Sequence, residues 1–427
     1  MISSVKKIQL SNLIEKANTG ADAIKRAPIV EIDTGIRCLR IGDISNNRLY
    51  EEWGFTEATD DVIKKFLLKK DDVIVARTGN TIGVVKYIDR DINSVYNNGL
   101  IRLKTKKEFN AKYVYYNLIS EDFKGFIYGI SGGTSTQPNM KIDQMLQYEV
   151  TNYTREEQDR IVNILSSLDE KIELNNEMNK TLEEMAQALF KRWFLDFEFP
   201  NEDGEPYKSS GGEMDESELG MIPKGWRIYS IEEVCDLNKS NYSIKEKWEY
   251  INYLDTANIT NNKIDNIQKI DCENEKVPSR AKRKVKRDSI VYSTVRPNQL
   301  HYGIIKNPIE NMIVSTGFVV LDGKIDFIKN DIIYYWLIQD NNTELLQSIG
   351  ETSTSTYPSI KPSDIGTMKL ALPPKEIIKN LEEKFDKINV LIDELKREEK
   401  QLIELRDSLL PKLMSGEIRV EDIEANL

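Results

Sequence analysis

Through residues 1–150, apolar positions come in short runs rich in Val, Ile and Tyr, bounded by Gly, Asn or Asp, as at 73–76 and 83–88. Residues 221–375 repeat the habit, at 290–293 and 317–321. Such runs read as strands, and the helical stretches between them make each region a mixed α/β domain. After each region the period changes. Ile161, Leu165, Leu168, Ile172, Asn175, Asn179, Leu182, Ala186, Leu189 and Trp193 follow alternating steps of four and three; Leu381, Phe385, Ile388, Ile392, Leu395, Glu399, Leu402, Arg406, Leu409 and Leu413 do the same 220 residues later. Steps of this kind sustained over four heptads indicate a coiled-coil seam. A helix from about 156 to 194 would be ~58 Å long. The economical partner for its stripe is the other helix, and because each follows an equivalent domain, an antiparallel pair would put one domain at each end. The alternative is two helices packing separately on their own domains. Polar seam positions, Asn175, Asn179, Glu399 and Arg406, either set register at some cost in stability or leave the middle open to another subunit.

The two halves are copies. Asp72-Val73-Ile74-Val75 answers Asp288-Ser289-Ile290-Val291, and Gly83-Val84-Val85 answers Gly303-Ile304-Ile305. Asn98-Gly99-Leu100-Ile101 answers Thr316-Gly317-Phe318-Val319, and Tyr115-Tyr116-Asn117-Leu118-Ile119 answers Tyr334-Tyr335-Trp336-Leu337-Ile338. A period near 220 is a duplicated domain, since solenoid repeats run roughly 20 to 50 residues. The pattern divides the chain into a first domain at 1–155, a helix at 156–198, an acidic linker at 199–220 whose Gly, Ser and Pro content suits flexibility, a second domain at 221–375, a helix at 376–415 and a tail at 416–427.

Charge changes this picture by its placement. The formal net charge of −11 argues against a nucleic-acid partner until it is divided. Residues 1–150 carry 22 Lys and Arg against 19 Asp and Glu, and residues 221–375 carry 21 against 19. The acid lies at 151–220, with 7 against 18, and at 376–427, with 9 against 14. Both domains are mildly basic, which permits DNA binding without requiring it. No run of ~18 apolar residues and no basic-then-apolar leader is present, so the expectation is a cytoplasmic protein with no membrane partner. Cys38, Cys235 and Cys272 form no CxxC pair, which disfavours a disulfide framework or a zinc site.

Catalytic motifs are missing. His301 is the single histidine, so a His-ligated metal cluster is excluded and a Ser-His-Asp relay would rest on that residue alone. There is no GxxxxGKS/T loop, and Gly129-Ile130-Ser131-Gly132-Gly133 does not fit GxGxxG. Leu372-Pro373-Pro374-Lys375 lacks the amide or carboxylate and the tyrosine of an amino-methyltransferase motif, and Glu273-Asn274-Glu275-Lys276 lacks a convincing upstream aspartate for a nuclease. The chain is expected to perform no covalent chemistry.

Recognition surfaces remain. Arg280, Lys282, Arg283, Lys284, Lys286 and Arg287 crowd six cations into eight residues, suited to phosphates or simply to a solvated face. Two loops recur: Arg77-Thr78-Gly79-Asn80-Thr81-Ile82-Gly83 with the stretch from Thr294 to Gly303 that contains Arg296, Asn298 and Gln299, and the stretch containing Ser135, Gln137, Asn139 and Lys141 with that containing Ser355, Tyr357 and Lys361. Arg reads guanine, Asn and Gln read adenine, and Ser, Thr and Lys serve phosphates. Turn chemistry explains either loop alone; recurrence at matching places with different side chains favours DNA contact.

Five segments carry a resemblance: Leu219-Gly220-Met221-Ile222-Pro223-Lys224-Gly225-Trp226, Ser293-Thr294-Val295-Arg296-Pro297-Asn298, Thr134-Ser135-Thr136-Gln137-Pro138, Glu156-Glu157-Gln158-Asp159-Arg160-Ile161 and Leu189-Phe190-Lys191-Arg192-Trp193-Phe194. In this order, over nearly the whole chain, they resemble the specificity (S) subunit of type I restriction-modification systems. The resemblance implies two target-recognition domains, each followed by a spacer helix, with the helices paired antiparallel. It implies a non-catalytic subunit that reads a bipartite sequence in double-stranded DNA, docks two methyltransferase (M) subunits and is joined by restriction (R) subunits. S-adenosylmethionine, ATP and Mg2+ would then be bound by partners, and none by this chain. Glu157, Gln158, Asn175, Asn179, Trp193 and Phe194 are candidates for M docking; the family's Glu-Gln pair is replaced by Ile377-Ile378 in the second helix, so a contact there need not recur. Half-sites about one helical turn apart suit two readers on a rod. The alternative from another class is a tether whose two domains bind proteins.

Overall fold

The computed structural model describes residues 6–22, 24–131, 139–325, 327–352 and 358–424. Two compact units emerge, residues 1–177 with 396–427, and residues 178–395.

In the first unit an antiparallel sheet has the strand order Ile14–Thr19, Leu100–Thr105, Asp72–Ala76, Val85–Tyr87. Asp72–Ala76 is buried throughout, as expected of a central strand covered on both faces. Its one charge is Asp72, which lies 3.6 Å from the equally buried Arg102. A second sheet runs Ile29–Val30, Phe55–Thr56, Arg37–Leu39, Ser94–Tyr96, with the last two strands parallel. Lys7–Gln9 pairs with Glu149–Thr151 at the base.

The second unit repeats this plan. Its first sheet runs Cys235–Leu237, Phe318–Gly323, Ser289–Ser293, Tyr302–Ile305, and Arg227–Ser230 pairs with Lys369–Leu372. Its second sheet runs Gln268–Asp271, Tyr250–Leu254, Met312–Ser315, Ala281–Lys284. The last of these strands has no counterpart among the described residues of the first unit, where Ser94–Tyr96 ends the row.

Register corrects the sequence alignment. Val73 pairs with Tyr87 and Ile290 with Ile304, and Val75 with Val85 as Tyr292 with Tyr302. The offset across this hairpin is therefore 217, not the 216 and 220 read from identities. Asp71, not Asp72, answers Asp288: both take a left-handed turn, at φ 70° and 64°. A one-residue slip matters here, because it would turn every strand side chain to the opposite face.

The seams form as their period predicts. The first long helix spans Arg155–Phe190 and the second Lys375–Ser415. Within the first unit Asp169 meets Arg406 at 3.0 Å and Asn175 meets Glu398 at 2.8 Å, so the numbers rise on one helix as they fall on the other and the pair is antiparallel. Leu410, Leu413 and Met414 join that unit's core, where Thr151 Oγ1 donates to the Met414 carbonyl and Tyr153 Oη to that of Leu413. In the second unit Ala186, Phe190 and Trp193 share a core with Leu381 and Phe385. Residues 199–220 carry more structure than their composition suggests. Met214–Ser217 pairs with Gly220–Pro223, and buried Phe199 stacks on Tyr207 at 4.6 Å beside Trp226; the aromatic residues pack while the acids stay in water. Among the described residues no helix is long and apolar enough to cross a membrane.

Candidate nucleic-acid interface

Each unit brings its two recurring loops together at the edge of its first sheet. In the first unit Arg77 leaves the buried strand Asp72–Ala76. Its amide donates to the Gly99 carbonyl at 3.0 Å, and its own carbonyl accepts from Met140 at 2.8 Å. Thr78 bridges Asn139. The Arg77 guanidinium donates through Nε and Nη2 to Asn139 Oδ1, at 3.2 and 2.9 Å. A neutral amide holds the cation in one pose and leaves its charge uncancelled, which reduces the ordering cost of binding. Asn80 lies in the 3-10 turn Gly79–Thr81, and exposed Lys141 precedes the short helix Ile142–Met145. Ser135 and Gln137 lie outside the described residues.

The second unit builds the same frame with other side chains. Thr294 donates to the Gly317 carbonyl at 2.8 Å and accepts from Ile360 at 2.9 Å, and Val295 bridges Ser359. The counterpart of Arg77 is therefore Thr294; Arg296 falls two residues further into the loop, where the first unit has Gly79. Arg296 donates its amide to the Pro358 carbonyl at 2.9 Å. The Asn298 amide reaches Gln347 Oε1 at 3.3 Å, tying the loop to the helix Asp340–Glu351. The Asn298, Gln299 and Lys361 side chains are exposed. Ser355 and Tyr357 lie outside the described residues.

The basic run divides. Ala281–Lys284 is a strand with a bulge between Ala281 and Arg283. Arg280 and Lys282 face solvent. Arg283 is half-buried, bonds Asn241 Oδ1 at 2.8 Å and has its pKa lowered by desolvation. Lys284 is paired with Glu246 and lies 5.0 Å over the Trp248 ring. Two of the cations that look alike in sequence thus bond within their own domain, just past the bulge that interrupts the strand's alternation of faces.

The residues singled out for docking a methyltransferase subunit are mostly occupied inside the chain. Gln158 is 1% exposed; its Nε2 donates to the Tyr153 carbonyl at 2.9 Å and its Oε1 accepts from the Asn110 amide at 2.8 Å. Glu157 Oε2 accepts from Thr154, amide and hydroxyl, at the start of the helix. Asn175 and Asn179 are buried, each with an Oδ1 that has no hydrogen-bond partner among the described residues. Trp193 and Phe194 belong to the second unit's core, with Phe194 5.4 Å from Trp226. Burial removes Gln158, Asn175, Asn179, Trp193 and Phe194 from any direct surface contact and leaves only Glu157 partly accessible. His301, which the sequence places in the second recurring loop, lies with Nδ1 2.7 Å from the Ile259 carbonyl, a local hydrogen bond.

The comparisons with known proteins agree with this arrangement. The family described as type I restriction modification DNA specificity domain matches residues 3–184 and again 223–405. The type I restriction enzyme MjaIX specificity subunit of Methanocaldococcus jannaschii is 26% identical over 395 residues, covering 89% of this chain and 86% of its own. The type I restriction enzyme HindI specificity subunit of Haemophilus influenzae is 24% identical over 448 residues, covering 89% and 94%. In fold, the chain is similar to the crystal structure of a type I restriction-modification S subunit from M. genitalium, with a TM-score of 0.54, 18% identity and 96% of each chain covered. A family match over both halves, falling on two domains of one plan that each hold the same pair of loops, makes this chain a member of the type I restriction-modification specificity subunits.

Proposed function

We propose that this chain is the non-catalytic reader of its complex: each unit recognises one half-site of an asymmetric bipartite DNA sequence, and the paired helices set the gap between them. Two methyltransferase subunits dock on the helices and methylate adenine, restriction subunits join for cleavage, and those partners bind S-adenosylmethionine, ATP and Mg2+. The complex acts in the cytoplasm. The observation that carries the reading is the pair of loops in each unit, joined by the same backbone hydrogen bonds yet carrying different side chains, Arg77 and Asn139 in one, Arg296, Asn298 and Gln299 in the other. A shared frame with divergent side chains is what two different half-sites require. Base contacts fall to these loops; Arg280, Lys282, Lys141 and Lys361, all exposed, serve phosphates. Docking falls to the exposed faces of the helices; in the second unit Met178 and Met185 are 43 and 54% exposed, and their spacing of two turns puts both on one side.

The test is duplex binding by this chain together with its methyltransferase partner across a salt series. The reading expects log affinity to fall linearly with log salt, since each phosphate contact releases counterions. A flat line would instead favour a tether whose domains bind proteins.

A further inference from the structure

The hairpin loops 76–85 and 293–302 have the same length and match residue for residue, but they obtain the same backbone by different means. The first unit needs left-handed φ at two positions and uses glycine at both, Gly79 at 76° and Gly83 at 85°. At the matching positions the second unit carries Arg296 at 50° and Leu300 at 56°. A residue with a Cβ is disfavoured there, and such conformations persist only where the surroundings over-determine them. Here they do. Leu300 donates to Pro297 and accepts from Asn261 and Tyr302, Gln299 donates to Arg296, Asn262 donates to Tyr302, and Pro297 is buried. The Leu300 side chain packs against the unit's main core. Glycine would have supplied this backbone without strain but also with freedom to leave it; the second loop is held in one shape before any ligand arrives.

That shape presents His301. Its Nδ1 lies 2.7 Å from the Ile259 carbonyl and 3.2 Å from Thr260 Oγ1. A carbonyl can only accept, so Nδ1 carries the hydrogen; in the uncharged tautomer that geometry selects, Nε2 is an acceptor on the opposite edge of the ring. Nε2 has no hydrogen bond among the described residues, and the residue is half-buried, separated by Leu300 from exposed Asn298 and Gln299. In the major groove an acceptor is matched by the exocyclic amino group of adenine or cytosine, and is repelled by the carbonyl oxygens of guanine and thymine.

Resting on the reading of this unit as a half-site reader, we propose that loop 296–301 is a preformed reading element, that His301 Nε2 accepts a hydrogen bond from the amino group of one adenine or cytosine, and that Leu300 acts as its positioning residue. The first unit has Val84 at the position of His301 and lacks this contact.

The experiment uses the full chain in complex with its methyltransferase subunits, measuring affinity for the complex's own target and for targets altered one base pair at a time. With His301→Ala, affinity for the target should fall roughly tenfold, and discrimination should collapse at one pair of one half-site, while the other half-site is read as before. Leu300→Asn gives up more of the leucine packing than Leu300→Val, yet the backbone preference runs the other way: asparagine tolerates left-handed φ and a β-branched residue does not. The asparagine variant should keep discrimination at that pair and the valine variant should lose it. Thermal melting of each variant identifies any that fails to fold, and the Leu300 pair then carries the test. A uniform loss across all sequences with His301→Ala, the mark of a phosphate contact, would overturn the proposal, as would unchanged discrimination, or equal behaviour of the two Leu300 variants. If the unaltered complex has no gapped target at all, the half-site reading fails as well; if it has one and His301→Ala leaves it intact, only this inference fails.

Discussion

Arg77 and Gln158 show how differently two polar residues can be used. The Arg77 guanidinium is posed by Asn139 at the loop surface. Arg77→Ala should weaken target binding by about 1–3 kcal/mol if it reads a guanine, checked by duplex titration at fixed salt; an unchanged affinity and target would remove it from the interface. Gln158 bonds the Tyr153 carbonyl and the Asn110 amide inside its unit. Gln158→Ala leaves both groups buried without partners and should cost about 1–3 kcal/mol in denaturant unfolding. The matching position of the second helix holds Ile378, fully buried in an apolar core, which accounts for the departure from the Glu-Gln pair: one copy fills the site by hydrogen bonding and the other by packing. Sequence made Arg77 legible because a strand end followed by a recurring polar loop is a local pattern. It left Gln158 ambiguous because its partners are set by the tertiary fold, and a docking glutamine and a buried one look the same in a string.

At the scale of elements, the helices and their polar interruptions were legible from the period, but the partners of those polar residues were not. Asn175 is fully buried, bonds Glu398 through Nδ2 and leaves Oδ1 without a hydrogen-bond partner among the described residues. That unmet acceptor costs stability, as buried polar seam residues do in exchange for register. Asn175→Leu should therefore raise the melting temperature while loosening the register of the pair; a lower melting temperature would show that the Glu398 contact outweighs the unmet oxygen. The second helix meets its domain through Glu382, whose carboxylate accepts from the Lys329 amide at 2.7 Å. Burial pushes its pKa above the usual carboxylate value of 4.5, against the pull of Lys329. A raised folded pKa means its contribution is fully present below the unfolded pKa and is lost as pH rises through the folded one. Glu382→Gln abolishes that loss, so its stability relative to the unaltered chain should improve between about pH 4 and pH 7, measured by denaturant unfolding at both values; a constant difference would contradict the assignment. The strands taught the opposite lesson. Apolar runs located them, but identities alone misplaced the hairpin by one residue at its first strand and three at its second, because Gly83 and Gly303 look alike while the ladder matches Gly83 to Leu300.

For the whole molecule, the net charge of −11 misleads until it is placed: both domains are mildly basic, and the acid belongs to the helices and residues 199–220. Duplication made the two-domain plan visible, and each unit holds its pair of loops by the same backbone hydrogen bonds. What could not be read from the chain is which cations stay outside. Arg283 and Lys284 bond Asn241 and Glu246 while Arg280 and Lys282 face solvent, a division made around a strand with no counterpart among the described residues of the first unit.

The central claim is that two dissimilar readers address one gapped sequence. Its most direct test is a genome-wide map of methylated adenine in cells expressing this chain with its methyltransferase subunit and in cells expressing the methyltransferase alone. The account predicts methylation, dependent on this chain, at a single asymmetric motif of two specified segments separated by unspecified bases. Absence of chain-dependent methylation, or methylation at a short continuous palindrome, would contradict it.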